Sequence, residues 1–109
     1  MTLRSRLPEP LISDKPIYER VLRSLSDVDP RAIALLCSET GKTYTVAETV
    51  GAATAVATIL HEAGLRKSEV VAYCMRNCPQ AVFAVLGSWM CGAIACGVNP
   101  DYTKRTILL

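Results

Sequence analysis

Apolar and polar positions along the chain alternate between two periods. Ile17, Val21, Leu22 and Leu25 recur at helical spacing with Glu19, Arg20 and Arg23 outside them, which predicts a helix with one apolar face. Asp14 stands where it can cap that helix, Pro16 fits its first turn, and Asp27 to Pro30 breaks it. Val46, Val50, Ala53, Ala57 and Leu60 repeat the helical period further on, ahead of Gly64, where a left-handed cap is wanted. Thr45-Val46-Ala47-Glu48 has the form of a capping box. In such a box the Thr hydroxyl accepts from an orphan amide and the Glu carboxylate accepts from the Thr amide. A third helix starts at Asn77-Cys78-Pro79, because proline early in a helix has no donor to leave unpaired. Val82, Val85, Leu86 and Trp89 mark its face, and Gly92 can close it.

Short apolar runs fill the gaps. Ala32 to Cys37 predicts a strand buried on both faces, Glu39 to Lys42 a turn, and Thr43-Tyr44 the start of a second strand. Val70 to Met75 and Ala93 to Val98 predict two more, the last ended by Asn99-Pro100. Strand, helix and strand joined by short connections make a right-handed crossover with parallel strands. The fold class is therefore α/β, with mostly parallel strands and covering helices. Residues 1–13 read as an extended arm, since Pro8 and Pro10 exclude regular helix.

Composition narrows the function. Half of the 109 residues are apolar and a fifth are charged, which excludes a disordered chain. The formal charge is only +2, with Lys and Arg scattered, and aromatics are sparse, so neither electrostatics nor stacking makes a case for nucleic acid. Five cysteines, Cys37, Cys74, Cys78, Cys91 and Cys96, contain no Cys-x-x-Cys pair. An odd count without a secretory signal argues against a disulfide framework, and His61 as sole histidine argues against zinc. All five lie in apolar surroundings and are expected to be buried as small hydrophobes in an intracellular, reducing compartment. Met1 to Pro10 lacks the apolar core of a signal peptide, and Ile107-Leu108-Leu109 is not a peroxisomal address, which leaves cytoplasm or peroxisome open. No charge occurs from Asn77 to Pro100, long enough for a bilayer span. Three glycines, polar Asn77, Gln80 and Asn99, and flanks without charge asymmetry favour a buried helix followed by a buried strand, with no membrane span.

Residues with chemistry are few. His61 falls beside Glu62 at a polar helix end, Glu39 in a turn, and Glu48 in the capping box, so no nucleophilic triad or acid–base pair emerges. Gly87, Gly92 and Gly97 recur at intervals of five, which is neither a dinucleotide fingerprint nor a phosphate loop. Gly41-Lys42-Thr43 has the last residues of a phosphate loop without its first glycine or its strand–loop–helix order. No catalytic, cofactor-binding or metal-binding residue is assigned.

The informative signal is an ordered set of short matches. Arg4-Ser5-Arg6-Leu7-Pro8, Gly41-Lys42-Thr43-Tyr44-Thr45 and Glu48 are similar to the opening of the 4-coumarate:CoA ligase and firefly luciferase branch of the AMP-forming acyl-CoA synthetases. Gly64-Leu65-Arg66-Lys67-Ser68-Glu69-Val70-Val71-Ala72 resembles that family's Gly-Leu-x-x-Gly-Asp-x-Val-Ala turn, with Ser68-Glu69 in place of Gly-Asp. Asn77-Cys78-Pro79-Gln80 resembles its Asn-x-x-Glu, with Gln80 in place of the acid. Leu86-Gly87, Gly92-Ala93 and Asn99-Pro100-Asp101-Tyr102-Thr103 resemble the run that closes the region. The matches cover residues 4–103, after which Lys104-Arg105-Thr106 departs from the family's acidic continuation.

The resemblance implies that residues 14–103 are part of the N-terminal subdomain of an adenylating enzyme's large domain, incomplete as it stands, with 104–109 a divergent, truncated tail. It implies a two-step reaction in a full-length relative: ATP activates a carboxylic acid as its adenylate, and coenzyme A takes the acyl group. ATP, Mg2+ and coenzyme A belong to that relative, whose Ser/Thr/Gly-rich loop ending Pro-Lys-Gly and later acidic and lysine residues lie downstream of this segment. The expected acid is medium-chain, long-chain or aryl, and the expected partner is the remainder of the adenylating domain. Alone, the chain is expected to be inactive. The alternative is a stand-alone interaction module that uses an exposed sheet edge. The left-handed turn is expected to tighten or shift at Ser68, since serine does not tolerate positive φ as glycine does.

Overall fold

The computed structural model describes residues 2–103. Residues 2–16 form no helix or strand. Helix α1 runs Ile17–Ser26, strand β1 Ile33–Leu36, β2 Thr43–Thr45, helix α2 Val46–Glu62, β3 Val70–Cys74, α3 Pro79–Met90 and β4 Ile94–Val98. Pro16, not Asp14, occupies the N-cap of α1, and no side chain caps that end. Proline already holds the φ a helix start needs, so α1 begins without a capping bond. The capping box forms as the sequence requires: the Glu48 amide donates to Thr45 Oγ1 at 3.1 Å and the Thr45 amide to Glu48 Oε2 at 2.8 Å.

The four strands make two separate two-stranded sheets. β3 and β4 are parallel, in register from Val70 opposite Ile94 to Cys74 opposite Val98, and α3 crosses between them. β1 and β2 instead form an antiparallel hairpin with an irregularity between Ile33 and Leu35. The expectation of a strand buried on both faces at 32–37 fails, because three of its four residues are exposed. An apolar run marks a strand without saying which of its faces this segment can cover.

The core lies between α2 and α3. Val46, Ala53, Phe83, Leu86 and Ala93 are its buried apolar residues, with Thr49 and Ser88 buried beside them. Thr49 and Ser88 satisfy their hydroxyls on the carbonyls of Thr45 and Ala84, one turn back, at 2.8 and 2.6 Å. Gly87 allows the close approach: a Cβ there would stand 2.7 Å from Val56 Cγ1 and 2.9 Å from the Ala53 carbonyl. The Phe83 ring meets Tyr44 of β2 edge-on at 5.3 Å, which ties the hairpin to α3.

Both helices end as expected, on glycines with positive φ, Gly64 at 93° and Gly92 at 69°. The turn after α2 does not relax at Ser68; the serine itself adopts the left-handed conformation, φ 69°. Its amide donates to the Gly92 carbonyl at 2.9 Å, and the Glu69 carboxylate accepts from the Arg66 amide at 2.8 Å. The turn is thus held from both sides, and the backbone keeps its path while the side chain takes the strain.

Candidate functional site

The residues singled out for chemistry fall on separate elements. Glu48 is engaged in capping α2, so its carboxylate already occupies the helix N-terminus where an anion would otherwise be received. Gly41-Lys42-Thr43 lies in the β1–β2 turn, where the Gly41 amide closes onto the Cys37 carbonyl at 2.8 Å and Lys42 Nζ sits 4.9 Å over the Tyr44 ring. It leads into a strand rather than a helix, so it makes no phosphate cradle. His61 is exposed in the last turn of α2, and its carbonyl accepts from the Gly64 amide. Gly87, Gly92 and Gly97 serve packing and a helix end: Gly97 faces Tyr73, whose hydroxyl would stand 2.9 Å from a Cβ there. Among the described residues no His/Cys/Asp/Glu group has metal-binding geometry, and no helix is long and apolar enough to cross a membrane.

The cysteines depart from expectation. None is fully buried: Cys37, Cys78 and Cys91 are half-buried, and Cys74 and Cys96 are exposed. Cys74 and Cys96 stand on the face of the parallel pair that no helix of this segment covers. Cys91 donates its thiol to the Ala57 carbonyl of α2 at 3.3 Å. Cys37 opens the hairpin turn, where the Thr40 hydroxyl, and then the Thr40 and Glu39 amides, pull its thiol below the ordinary value against its loss of solvent and the charge of Glu39.

The most polar cavity, about 530 Å³, lies at the carboxyl ends of β3 and β4. Tyr73, Arg76, Asn77, Asn99 and Asp101 line it, with Glu39 reaching it from the hairpin turn. Arg76 Nη2 pairs with Asp101 Oδ1 at 3.0 Å, and the Asp101 amide donates to Asn99 Oδ1 at 2.9 Å. The ion pair joins the loops that leave two adjacent parallel strands, the position where open α/β sheets present their ligand-facing loops. It is solvent-exposed on both sides, so it orients these loops more than it stabilises them. Its polar lining consists of the Tyr73 hydroxyl, the Glu39 and Asp101 carboxylates, the Asn77 and Asn99 amides and the Arg76 guanidinium. Sequence reasoning misses Arg76 and Asp101. Their signal is topological: each follows one strand of a predicted parallel pair, and parallel strands bring their carboxyl-terminal loops together.

The described residues thus form two packed helices, a parallel crossover pair and an antiparallel hairpin, with a polar cavity at the carboxyl ends of the parallel strands. Residues 23–108 match the model of the AMP-binding enzyme family. The chain belongs to that family. It is 33% identical over 105 residues to 4-coumarate–CoA ligase 3 of Arabidopsis thaliana, covering 95% of this chain and 18% of the relative. The chain therefore spans under a fifth of the length of that curated relative. The N-terminal subdomain of NpsA from Klebsiella oxytoca shares its fold at a TM-score of 0.75 and 24% identity, covering 85% of this chain and 24% of that one. A Bacillus subtilis o-succinylbenzoate CoA synthetase, MenE, solved with the acyl-adenylate OSB-AMP, matches at TM-score 0.71 and 25% identity, over 86% of this chain and 23% of its own. An incomplete α/β subdomain of the adenylating type is thus the observed fold, one strand pair parallel and the other antiparallel.

Proposed function

We propose that this chain is the N-terminal, non-catalytic part of a carboxylic acid–CoA ligase that forms an acyl-adenylate from ATP and then a coenzyme A thioester. The observation that carries the reading is the family match across most of the chain, combined with relatives more than five times its matched length. ATP, Mg2+ and coenzyme A would be held by segments beyond this one, since the Gly41-Lys42-Thr43 turn leads into a strand and Glu48 already occupies the α2 N-terminus. Residues 14–103 then serve as scaffold, 2–13 as an arm, and 104–109, which lie outside the described residues, as the departure from the family pattern. The Arabidopsis and Bacillus relatives are named for 4-coumarate and o-succinylbenzoate, both aryl acids, so an aryl carboxylic acid is the favoured substrate class over a fatty one.

The test is a chimera in which this chain replaces the matched N-terminal segment of the Arabidopsis ligase. The chimera should release AMP and pyrophosphate from ATP when given coenzyme A and 4-coumarate, while the 109-residue chain alone should release neither. A chimera that does not fold, or an isolated chain that turns over ATP, refutes the reading. The interaction-module alternative draws support from β3 and β4, each hydrogen-bonded along one side only. It requires the isolated chain to be monodisperse and to bind a partner protein along those strand edges.

A further inference from the structure

Parallel sheets are found almost only with both faces covered, because their strands carry apolar side chains on each side. β3 and β4 meet half of that condition. Val71, Tyr73 and Ala95 lie on the half-buried helix side, while Val70, Ala72 and Cys74 of β3 and Ile94 and Cys96 of β4 are exposed. The register places Val70 opposite Ile94 and Ala72 opposite Cys96, so these residues form one continuous apolar face. Val70 is 60% exposed and Ile94 54%. The opposite side of the molecule is written differently. The exposed side of α2 carries the charged or polar Glu48, Thr54, Thr58, His61 and Glu62, with the small Ala47, Gly51 and Ala55 between them and Ile59 as its one large apolar residue.

From this contrast we infer that the Val70–Ala72–Ile94–Cys96 face is the seat of the following part of the ligase domain, and that the outer face of α2 stays in water. The inference rests on the reading under Proposed function and adds to it where the covering layer sits. Its occupant is the segment that follows in the family's large domain. More than four-fifths of the Arabidopsis relative lies outside the match, ample chain to supply a helical layer and further strands. A second copy seated on this face would leave the outer edges of β3 and β4 unpaired in both copies, and a lipid surface would leave those edges' amides unpaired as well.

The Arabidopsis chimera tests this through placement of charge. Ala72→Asp and Cys96→Asp each put a carboxylate on the face, and Ala55→Asp puts one on the outer side of α2 beside Thr58 and Glu62. In the chimera, both face variants should lower the soluble folded yield by roughly tenfold or more, since an unpaired charge under a packed layer is not tolerated. Ala55→Asp should leave that yield unchanged. In the isolated chain all three should be tolerated, the face variants with improved solubility. If the chimera folds and accepts Ala72→Asp and Cys96→Asp as readily as Ala55→Asp, the inference is overturned and the family reading stands. If the unsubstituted chimera does not fold, the reading under Proposed function itself falls. An isolated chain that forms a dimer, or binds phosphatidylcholine vesicles, and is released by Ala72→Asp while the chimera tolerates that change, assigns the face to a second copy or to lipid and overturns the inference.

Discussion

Ser68→Gly should stabilise the protein. Ser68 links α2 to β3 with φ 69°, a conformation in which an L side chain crowds the following carbonyl. That crowding costs about 1–2 kcal/mol, and glycine avoids it. Glycine gives back about 0.4–1 kcal/mol through the greater freedom of its unfolded chain. The Ser68 amide bond to the Gly92 carbonyl survives the change, and among the described residues the hydroxyl makes no hydrogen bond that would be lost. The balance is about 0.5–1 kcal/mol in favour of glycine, or roughly 3–6 °C in Tm for a domain of this size. Trp89, the only tryptophan, lines the same cavity as Lys67 and Gly92 beside this turn, so its fluorescence in a urea titration reports the transition. Asn tolerates the left-handed region better than serine, and valine worse, so stability should fall in the order Gly, Asn, Ser, Val. A neutral Ser68→Gly, or a Ser68→Val as stable as the parent, would refute a left-handed residue at this turn.

Gly87→Ala should cost about 2 kcal/mol or more in the same titration, because its methyl would meet the Ala53 carbonyl, which is backbone and cannot rotate away. A loss under about 0.5 kcal/mol would mean that α2 and α3 are further apart than described. Thr45→Ala should cost about 1 kcal/mol by opening the capping box, and in the ligase chimera it should leave turnover per folded molecule unchanged. A fall in turnover without loss of stability would give Thr45 a catalytic part instead. Thr40→Val should raise the pH at which Cys37 is alkylated by iodoacetamide, since the Thr40 hydroxyl is the main support of the thiolate. The linked stability is full above the unfolded thiol's pKa and is lost as pH falls through the lowered folded value. An unchanged pH profile of Cys37 alkylation in Thr40→Val, measured by mass spectrometry, would remove that support.

Local signals were the most legible. The capping box at Thr45 and Glu48, the glycine caps at Gly64 and Gly92, and Pro79 at the start of α3 each depend on a few adjacent residues, and each is present in the fold. The parallel crossover followed from element order alone. What failed depended on residues far away or on none in this segment. Whether Ile33 and Leu36 are buried is decided by what packs on the hairpin, and the run of apolar letters carries no record of that. The same holds for Cys74 and Cys96, whose exposure follows from which sheet face the helices take. Phe83 falls outside the face that periodicity predicts for α3, because a single stripe serves a single partner. The helix has two, α2 on one side and the strands on the other, so its buried arc is wider. The Arg76–Asp101 pair needed the parallel register before either residue had a neighbour.

The amino-acid composition also speaks for an open face. Half the residues are apolar, yet among those described only Val46, Ala53, Phe83, Leu86 and Ala93 form the buried apolar core, and Ala53 and Ala93 are small. Scattered exposed apolar residues are ordinary on any protein surface and would need no account. Here Val70, Ala72, Ile94 and Cys96 are contiguous, uncharged, and aligned by strand register on the one kind of sheet that is almost never left open. The small residues Ala53, Gly87 and Ser88 bring α2 and α3 together tightly, which makes the helix pair a firm backing for the strands without a large core of its own. A surplus of apolar surface on one face, set on a rigid two-helix support, is what a segment needs if it is to be one wall of a larger adenylating domain rather than a domain closed on itself.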